Sequence, residues 1–410
     1  MTRGPRHSVR RRTAVRSLGS VLLPSALTAT VVLGLPSPVF AAGQATVKLP
    51  VMAAELADGA GCTKASTSTT KNIPWEHQSL ELAQAARISQ GAGVKVGVVD
   101  TGVSTGAPTL KGRVEAVGDA GDDCVGHGTF VAGLIAAAPA KGVAFHGIAP
   151  RATVVAARGT TERGVASADR VATGIRAAVD AGAQVVEVSA AFATRSDQLD
   201  AAVVYAVEHD VLVVAAAVPD PPGSDAAATT TPAPRDYWPA ASPGVLSVLD
   251  VDVQGSRPDT ALLAVDADLA APGDGVVGIG PRGSGHFVGS GASFAAAYTA
   301  GVAALVRSAY PDLSAAEVGR RLTATAYPDV VPRLDAYAAV ASVSDATEPN
   351  SRASAHDAAV RLPDRGHGER ATRTALLVTA GGTAVVLVVG WAALVVPRGR
   401  SRGWRPPRRG

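Results

Sequence analysis

Five short apolar runs recur through the middle of the chain: residues 94–99 (VKVGVV), 153–157 (TVVAA), 184–189 (QVVEVS), 211–216 (VLVVAA) and 245–251 (VLSVLDV). Between them, residues 166–181 and 196–208 carry apolar side chains at helical spacing. A strand with one face in water alternates polar and apolar residues. Strands that are apolar almost throughout must be covered on both faces. Such strands alternating with helices predict an α/β fold, a three-layer arrangement around a mainly parallel sheet. The stretch 74–341 is long enough for one large domain of this kind. Sites in these sheets form at the carboxyl ends of the strands.

The charge of the chain is unevenly spread. The 410 residues carry a formal net charge of +3, with 38 Lys+Arg and 35 Asp+Glu. Arg3, Arg6, Arg10, Arg11, Arg12 and Arg16 lie in residues 1–42, and Arg398, Arg400, Arg402, Arg405, Arg408 and Arg409 lie in residues 397–410; neither segment holds an acid. Removing these six arginines at each end leaves the rest of the chain at −9. No nucleic-acid partner is expected, because such a partner needs a cationic face on the folded domain. With hydrophobic residues at 47% and charged ones at 18%, general disorder is excluded.

Both ends read as membrane signals. Residues 18–35 are apolar, follow an arginine-rich start and precede the small residues Val39, Ala41 and Ala42. This is the three-part pattern of a signal peptide spanning 1–42, with cleavage after Ala41 or Ala42. Residues 374–396 hold no charge and have the length of a bilayer-crossing helix, with Arg373 before it and the basic tail 397–410 after it. The positive-inside rule puts that tail in the cytoplasm and the acidic domain outside. Gly381, Gly382 and Gly390 would let another membrane helix approach closely. Residues 43–73 read as an extended N-terminal arm, 220–235 as a Pro- and Thr-rich loop, and 342–373 as a linker. Outside the cell the two cysteines, Cys62 and Cys124, are expected to form disulfides, within the chain or between chains.

Three segments carry chemistry. Asp100 ends the apolar run Val98-Val99-Asp100-Thr101-Gly102. His127 opens a small-residue helix in Gly126-His127-Gly128-Thr129. Ser293 starts an alanine-rich helix in Gly291-Ala292-Ser293-Phe294. Acid, histidine, serine is the subtilisin order of a catalytic triad. Ser293 would be the nucleophile, His127 its base, and Asp100 the group that orients the imidazole. A two-lobed aspartic protease needs a second Asp-Thr-Gly, and the nearest match, Asp259-Thr260-Ala261, fails. An α/β-hydrolase needs its histidine after the serine, and only His356 and His367 in the linker follow Ser293.

These segments resemble the subtilisin family, and further details resemble the mycosins, membrane-anchored subtilisin-like proteases of type VII secretion systems. The details are Ile73-Pro74-Trp75 before the first strand, Asp123-Cys124-Val125-Gly126-His127, His146-Gly147-Ile148-Ala149-Pro150 and Ala270-Ala271-Pro272-Gly273. The resemblance implies a serine endopeptidase acting on exported proteins, held by its C-terminal helix beside a secretion membrane complex. It implies that Cys62 ties the arm to Cys124, and that Ser189, Ala190 and Ala191 form an edge pairing with substrate backbone. No cofactor or metal is implied.

The sequence departs from that family at the oxyanion hole. The family supplies an asparagine amide after the strand ending Ala-Ala-Ala. Here Ala215-Ala216-Ala217 is followed by Val218-Pro219-Asp220, and the only asparagines are Asn72 and Asn350. The Ser293 backbone N–H remains as a donor. Asp220 could replace the amide only if protonated, and it lies one position out of register. Loss of such a donor costs about 10²–10³ in turnover. Glu187 likewise stands where the family strand has asparagine. Two readings follow: an attenuated protease, or a weakly active or inactive scaffold of the secretion complex.

Overall fold

The pattern of strands buried on both faces resolves into one seven-stranded sheet. Its strands are β1 (Lys95–Asp100), β2 (Val114–Ala116), β3 (Thr153–Arg158), β4 (Val185–Val188), β5 (Leu212–Ala216), β6 (Val245–Val251) and β7 (Leu269–Pro272). The spatial order is β2-β3-β1-β4-β5-β6-β7, and every neighbouring pair is parallel. A two-stranded antiparallel hairpin, β8 (Val276–Ile279) with β9 (His286–Gly289), stands apart. This computed structural model describes residues 47–221, 233–257, 261–343 and 366–403. The expected signal peptide, most of the 220–235 loop, most of the linker and the end of the basic tail lie outside the described residues.

The period of two along each strand divides the core. Val96 and Val98 of β1, Val185 of β4, and Leu212 and Val214 of β5 face one apolar cluster. Val99, Val186, Val188, Val213 and Ala215 face the other. The second face is covered by α4 (Ala168–Asp180) and α5 (Asp197–Glu208). Both helices start at serines, Ser167 and Ser196, whose side chains accept a backbone N–H of the first turn. The first face is covered by α3 (His127–Ala136) and α6 (Ala292–Ala309). Residues 292–307 of α6 are buried all round, as expected of a helix apolar on every side that crosses a core. Its alanines let it lie close against β4, β5, β6 and β7. Four smaller helices complete this layer: α1 (Trp75–Ser79), α2 (Leu82–Ala85), α7 (Ala315–Thr325) and α8 (Ala336–Ala341).

Chain direction matters most at β1. From β1 the chain moves outward to β2 and β3, then returns to the other side of β1 as β4. The strand order therefore reverses between β1 and β4, the topological switch point where parallel sheets open a crevice beyond their carboxyl ends. Asp100 and Ser189 both stand at this edge.

The arm 47–73 forms no helix and lies along the domain. Val51 bridges Val288, Leu56 N–H donates to the Arg163 carbonyl (2.9 Å), and Thr63 N–H donates to the Cys124 carbonyl (2.9 Å). The Cys62–Cys124 disulfide closes within the chain. A final helix, α9 (Gly366–Ser401), is longer than the expected span 374–396 at both ends; within its stretch Leu376–Ser401 an 18-residue window has mean hydropathy 2.0, and the stretch is long enough to cross a bilayer.

Where the arm meets the domain, Glu76 of α1 is fully buried. Its Oε1 accepts the Val277 N–H (2.9 Å) and the Tyr298 hydroxyl (3.3 Å), while Oε2 has no partner among the described residues. Burial pushes this carboxyl from 4.5 up to about 7, against the lowering effect of its hydrogen bonds. Folding therefore favours the protonated acid. Its contribution is complete below pH 4.5 and is lost as pH rises to about 7. A rise of that size corresponds to about 3 kcal/mol. The melting temperature should fall between about pH 4.5 and 7, and Glu76→Gln should flatten that fall; equal slopes in the two proteins would refute the assignment.

Candidate active site

Asp100, His127 and Ser293 come from three elements that meet at the switch point. Asp100 is the last residue of β1, His127 the first of α3, and Ser293 lies in the first turn of α6. His127 Nδ1 lies 2.7 Å from Asp100 Oδ2, and His127 Nε2 lies 3.2 Å from Ser293 Oγ. The three are 3%, 4% and 0% exposed, so the charge of Asp100 acts on His127 with little screening by water. The His127 ring packs against Phe294, which in turn packs against Phe130.

A second acid shapes this junction. Asp123 is fully buried and accepts four hydrogen bonds: from Thr101 Oγ1 (2.9 Å), Gly126 N–H (2.7 Å), Thr129 N–H (2.9 Å) and Thr129 Oγ1 (2.7 Å). Thr101 Oγ1 accepts the Gly128 N–H at 2.9 Å. The turn after β1 is thereby tied to the start of α3, and the carboxylate faces the positive end of that helix. Burial nevertheless raises the Asp123 carboxyl above its ordinary value. In the sequence Asp123 is visible only as part of the segment Asp123-Cys124-Val125-Gly126-His127. Its signal was an acid just ahead of a helix start.

The remaining acids crowd the same space. Burial alone would raise the Asp100 carboxyl, but the charge and hydrogen bond of His127, with donors from Ser189 and the Thr101 N–H, hold it below its usual value. Glu187 of β4 is fully buried with Ser189 Oγ at 2.9 Å. Burial, then the charge of Asp100, pushes its carboxyl well above the ordinary range.

Asp220 reaches the serine despite the register of the sequence. The segment after β5 carries it over Ser293, where its Oδ1 accepts the Ser293 N–H at 3.0 Å. Its Oδ2 accepts the Ser293 hydroxyl at 2.5 Å and lies 3.2 Å from His127 Nε2. The side chain thus occupies the oxyanion N–H as an acceptor. Gly291 makes room for it: a Cβ there would collide with the Asp220 carboxylate.

Ser189, Ala190 and Ala191 follow β4 and are half-buried along a cavity of about 180 Å³ that also reaches Asp100, His127 and Asp220. The arm supplies part of the cavity wall, Ala54 and Glu55, which sequence reasoning did not foresee because the arm has no pattern that locates it. Arg163 holds that part of the arm, donating to the Leu56 (3.2 Å), Ala57 and Ala60 (3.1 Å) carbonyls. Among the described residues no cluster of three or more His, Cys, Asp or Glu could hold a metal ion.

A model of the Subtilase family matches residues 91–376. The chain belongs to the subtilase family, on its mycosin branch. Mycosin-4 of Mycobacterium tuberculosis is 32% identical over 398 residues, covering 85% of this chain and 87% of that protein. Thermitase of Thermoactinomyces vulgaris is 33% identical over 237 residues, covering 56% of this chain and 81% of that one. The crystal structure of MycP1 from Mycobacterium smegmatis superposes with a TM-score of 0.62 at 26% identity, covering 74% of this chain and 97% of that one. A chain in the periplasmic assembly of the ESX-5 inner membrane complex gives a TM-score of 0.62 at 29% identity, over 77% of this chain and 100% of that one. The chain is thus a serine protease of the subtilisin type, carrying one apolar C-terminal helix able to anchor it in a membrane.

Close backbone contact makes the Asp100–His127 distance sensitive to one glycine. A Cβ on Gly128 would collide with the Gly102 carbonyl oxygen and lie 3.0 Å from Asp100 Cβ. Gly128→Ala should therefore displace the acid from the imidazole. Misplacement of about 1 Å costs about 10²-fold in rate. Reaction of Ser293 with a fluorophosphonate probe should slow by that order while the melting temperature shows the domain still folded; an unchanged rate would mean the junction can yield.

Proposed function

We propose that this mycosin-like protein is a membrane-anchored serine endopeptidase that cleaves exported proteins beside a type VII secretion membrane complex, with attenuated turnover. The carrying observation is the Asp100–His127–Ser293 geometry beside a cleft with no asparagine among its described lining residues. Ser293 attacks the scissile carbonyl, His127 takes the hydroxyl proton and returns it to the leaving amine, and Asp100 orients and balances the imidazolium. Substrate backbone pairs with the Ser189–Ala191 edge. The Ser293 N–H is then the remaining oxyanion donor, and loss of the second donor lowers turnover by about 10²–10³. Association with the secretion complex is supported by the likeness to a chain of the ESX-5 periplasmic assembly. The arginines after the apolar helix favour a cytoplasmic tail and an external catalytic domain.

The scaffold reading has one observation in its favour: the oxyanion N–H is already taken by the chain's own Asp220. The two readings separate on labelling of the purified, folded protein. The protease reading expects slow fluorophosphonate labelling of the natural protein and none of Ser293→Ala. No labelling of either under any condition would sink it. Deleting residues 374–410 should release the protein from the membrane fraction. A scaffold further requires that the secretion complex assemble with Ser293→Ala and fail on that deletion.

A further inference from the structure

The contacts of Asp220 exceed what a failed oxyanion donor would make. Its two oxygens take the Ser293 N–H, the Ser293 hydroxyl and the outer nitrogen of His127 together. The imidazole is thereby held between two carboxylates, Asp100 at 2.7 Å on Nδ1 and Asp220 at 3.2 Å on Nε2. A neutral imidazole has one N–H to give, whereas an imidazolium has two. With Asp100 taking the Nδ1 proton, a bare Nε2 lone pair would face the Asp220 oxygen in a buried, weakly screening site. Two acceptors facing each other repel, and a proton on Nε2 removes the conflict.

We infer that Asp220 is an internal lock on the triad: its carboxylate keeps His127 in the imidazolium form and covers the oxyanion N–H, so Ser293 becomes reactive only when Asp220 leaves. The inference rests on the protease reading above and deepens it. Attenuation then has a cause beyond a missing amide, since the base already holds the proton it should receive. The charges agree. Burial opposes a charged imidazole, but Asp100 first and Asp220 after it hold His127 well above its ordinary value. The other acids around this cluster are Glu187 from β4, Asp123 from the turn before α3, Asp250 of β6, and Glu55 of the arm, which lines the same cavity. Asp250 is paired with Arg257 at 2.6 Å. Of these carboxyls, only Asp100 and Asp220 contact the ring directly.

The bound carboxylate also has the shape of the acid product of peptide hydrolysis, one oxygen on the oxyanion N–H and the other against the serine hydroxyl. A substrate carbonyl must take the same N–H, so substrate and Asp220 exclude each other. Only glycine at position 291 leaves space for this arrangement.

The test uses a fluorophosphonate, whose reaction forms the Ser293 Oγ–P bond, expels fluoride and passes the hydroxyl proton to His127 Nε2. Labelling rates of the full-length protein in detergent are measured against pH for the natural protein, Asp220→Asn and Asp220→Ala, with Ser293→Ala as blank. Melting temperatures establish that each is folded. His127 must be neutral to accept the proton, so its raised value places the rising limb of the natural protein at high pH. Removing one of its two carboxylates lowers that value. Both Asp220 variants should therefore move the limb down by about one pH unit or more, a gain of about tenfold at neutral pH. The asparagine variant should gain further in plateau rate by restoring an amide donor. Nitrogen-15 NMR of labelled histidine should find His127 as imidazolium at neutral pH in the natural protein and as neutral imidazole in both variants. A gain confined to Asp220→Asn with no shift of the limb would overturn the lock and leave Asp220 as only a missing donor. Identical limbs in all three would overturn it while sparing the protease reading. No labelling in any of them would remove both.

Discussion

The sheet sealed on both faces is the constraint on which the rest of the molecule depends. A parallel strand buried above and below is apolar almost throughout, and a charged side chain is most readily placed near its end, where the sheet opens. Asp100 sits at the last position of β1 for this reason, where the sheet opens beyond its carboxyl edge. Reversal of the strand order between β1 and β4 opens the crevice at that same edge. Helix α6, passing through the core as an alanine-rich rod, delivers Ser293 into the crevice from below. The triad is the meeting of these three constraints.

Burial that builds the site also concentrates acids in it. Asp100, Asp123, Glu187 and Asp220 lie around one histidine, and each meets the low-dielectric interior differently. Asp123 is held by four donors and serves as a knot between β1 and α3. Glu187 is pushed well above the ordinary carboxylate range by burial and then by the charge of Asp100, which together outweigh the opposing effect of His127. Asp100 keeps its charge because the imidazole neutralises it. Asp220 has no such permanent partner. It takes whatever donors the nucleophile and base offer, which sets it in competition with a substrate.

Much of the fold was legible in the sequence. The apolar runs at 94–99, 153–157, 184–189, 211–216 and 245–251 correspond to β1, β3, β4, β5 and β6, and the two helical patterns between them to α4 and α5. Burial on both faces writes itself into composition, so these elements can be read locally. β2, β7 and the β8–β9 hairpin could not be read. β2 has three residues and little burial, and Leu269–Pro272 is a strand only because β6 offers it parallel hydrogen bonds. Residues 366–373, at the end of the expected linker, belong to α9, because a helix extends beyond the apolar stretch that identifies it.

At the site, the residue types and their chain order were enough to name Asp100, His127 and Ser293, because glycine-flanked acid, histidine and serine in that order leave few alternatives. The sequence also determined that no asparagine amide stood in the matching segment. Tertiary structure alone decided what fills the space. A register count set Asp220 one position astray, yet the backbone after β5 takes up the extra residue and brings the carboxylate onto Ser293. It likewise decided that the arm walls the cleft through Ala54 and Glu55. Position along a strand is encoded in local periodicity, whereas the aim of a side chain from an irregular segment depends on every contact that segment makes.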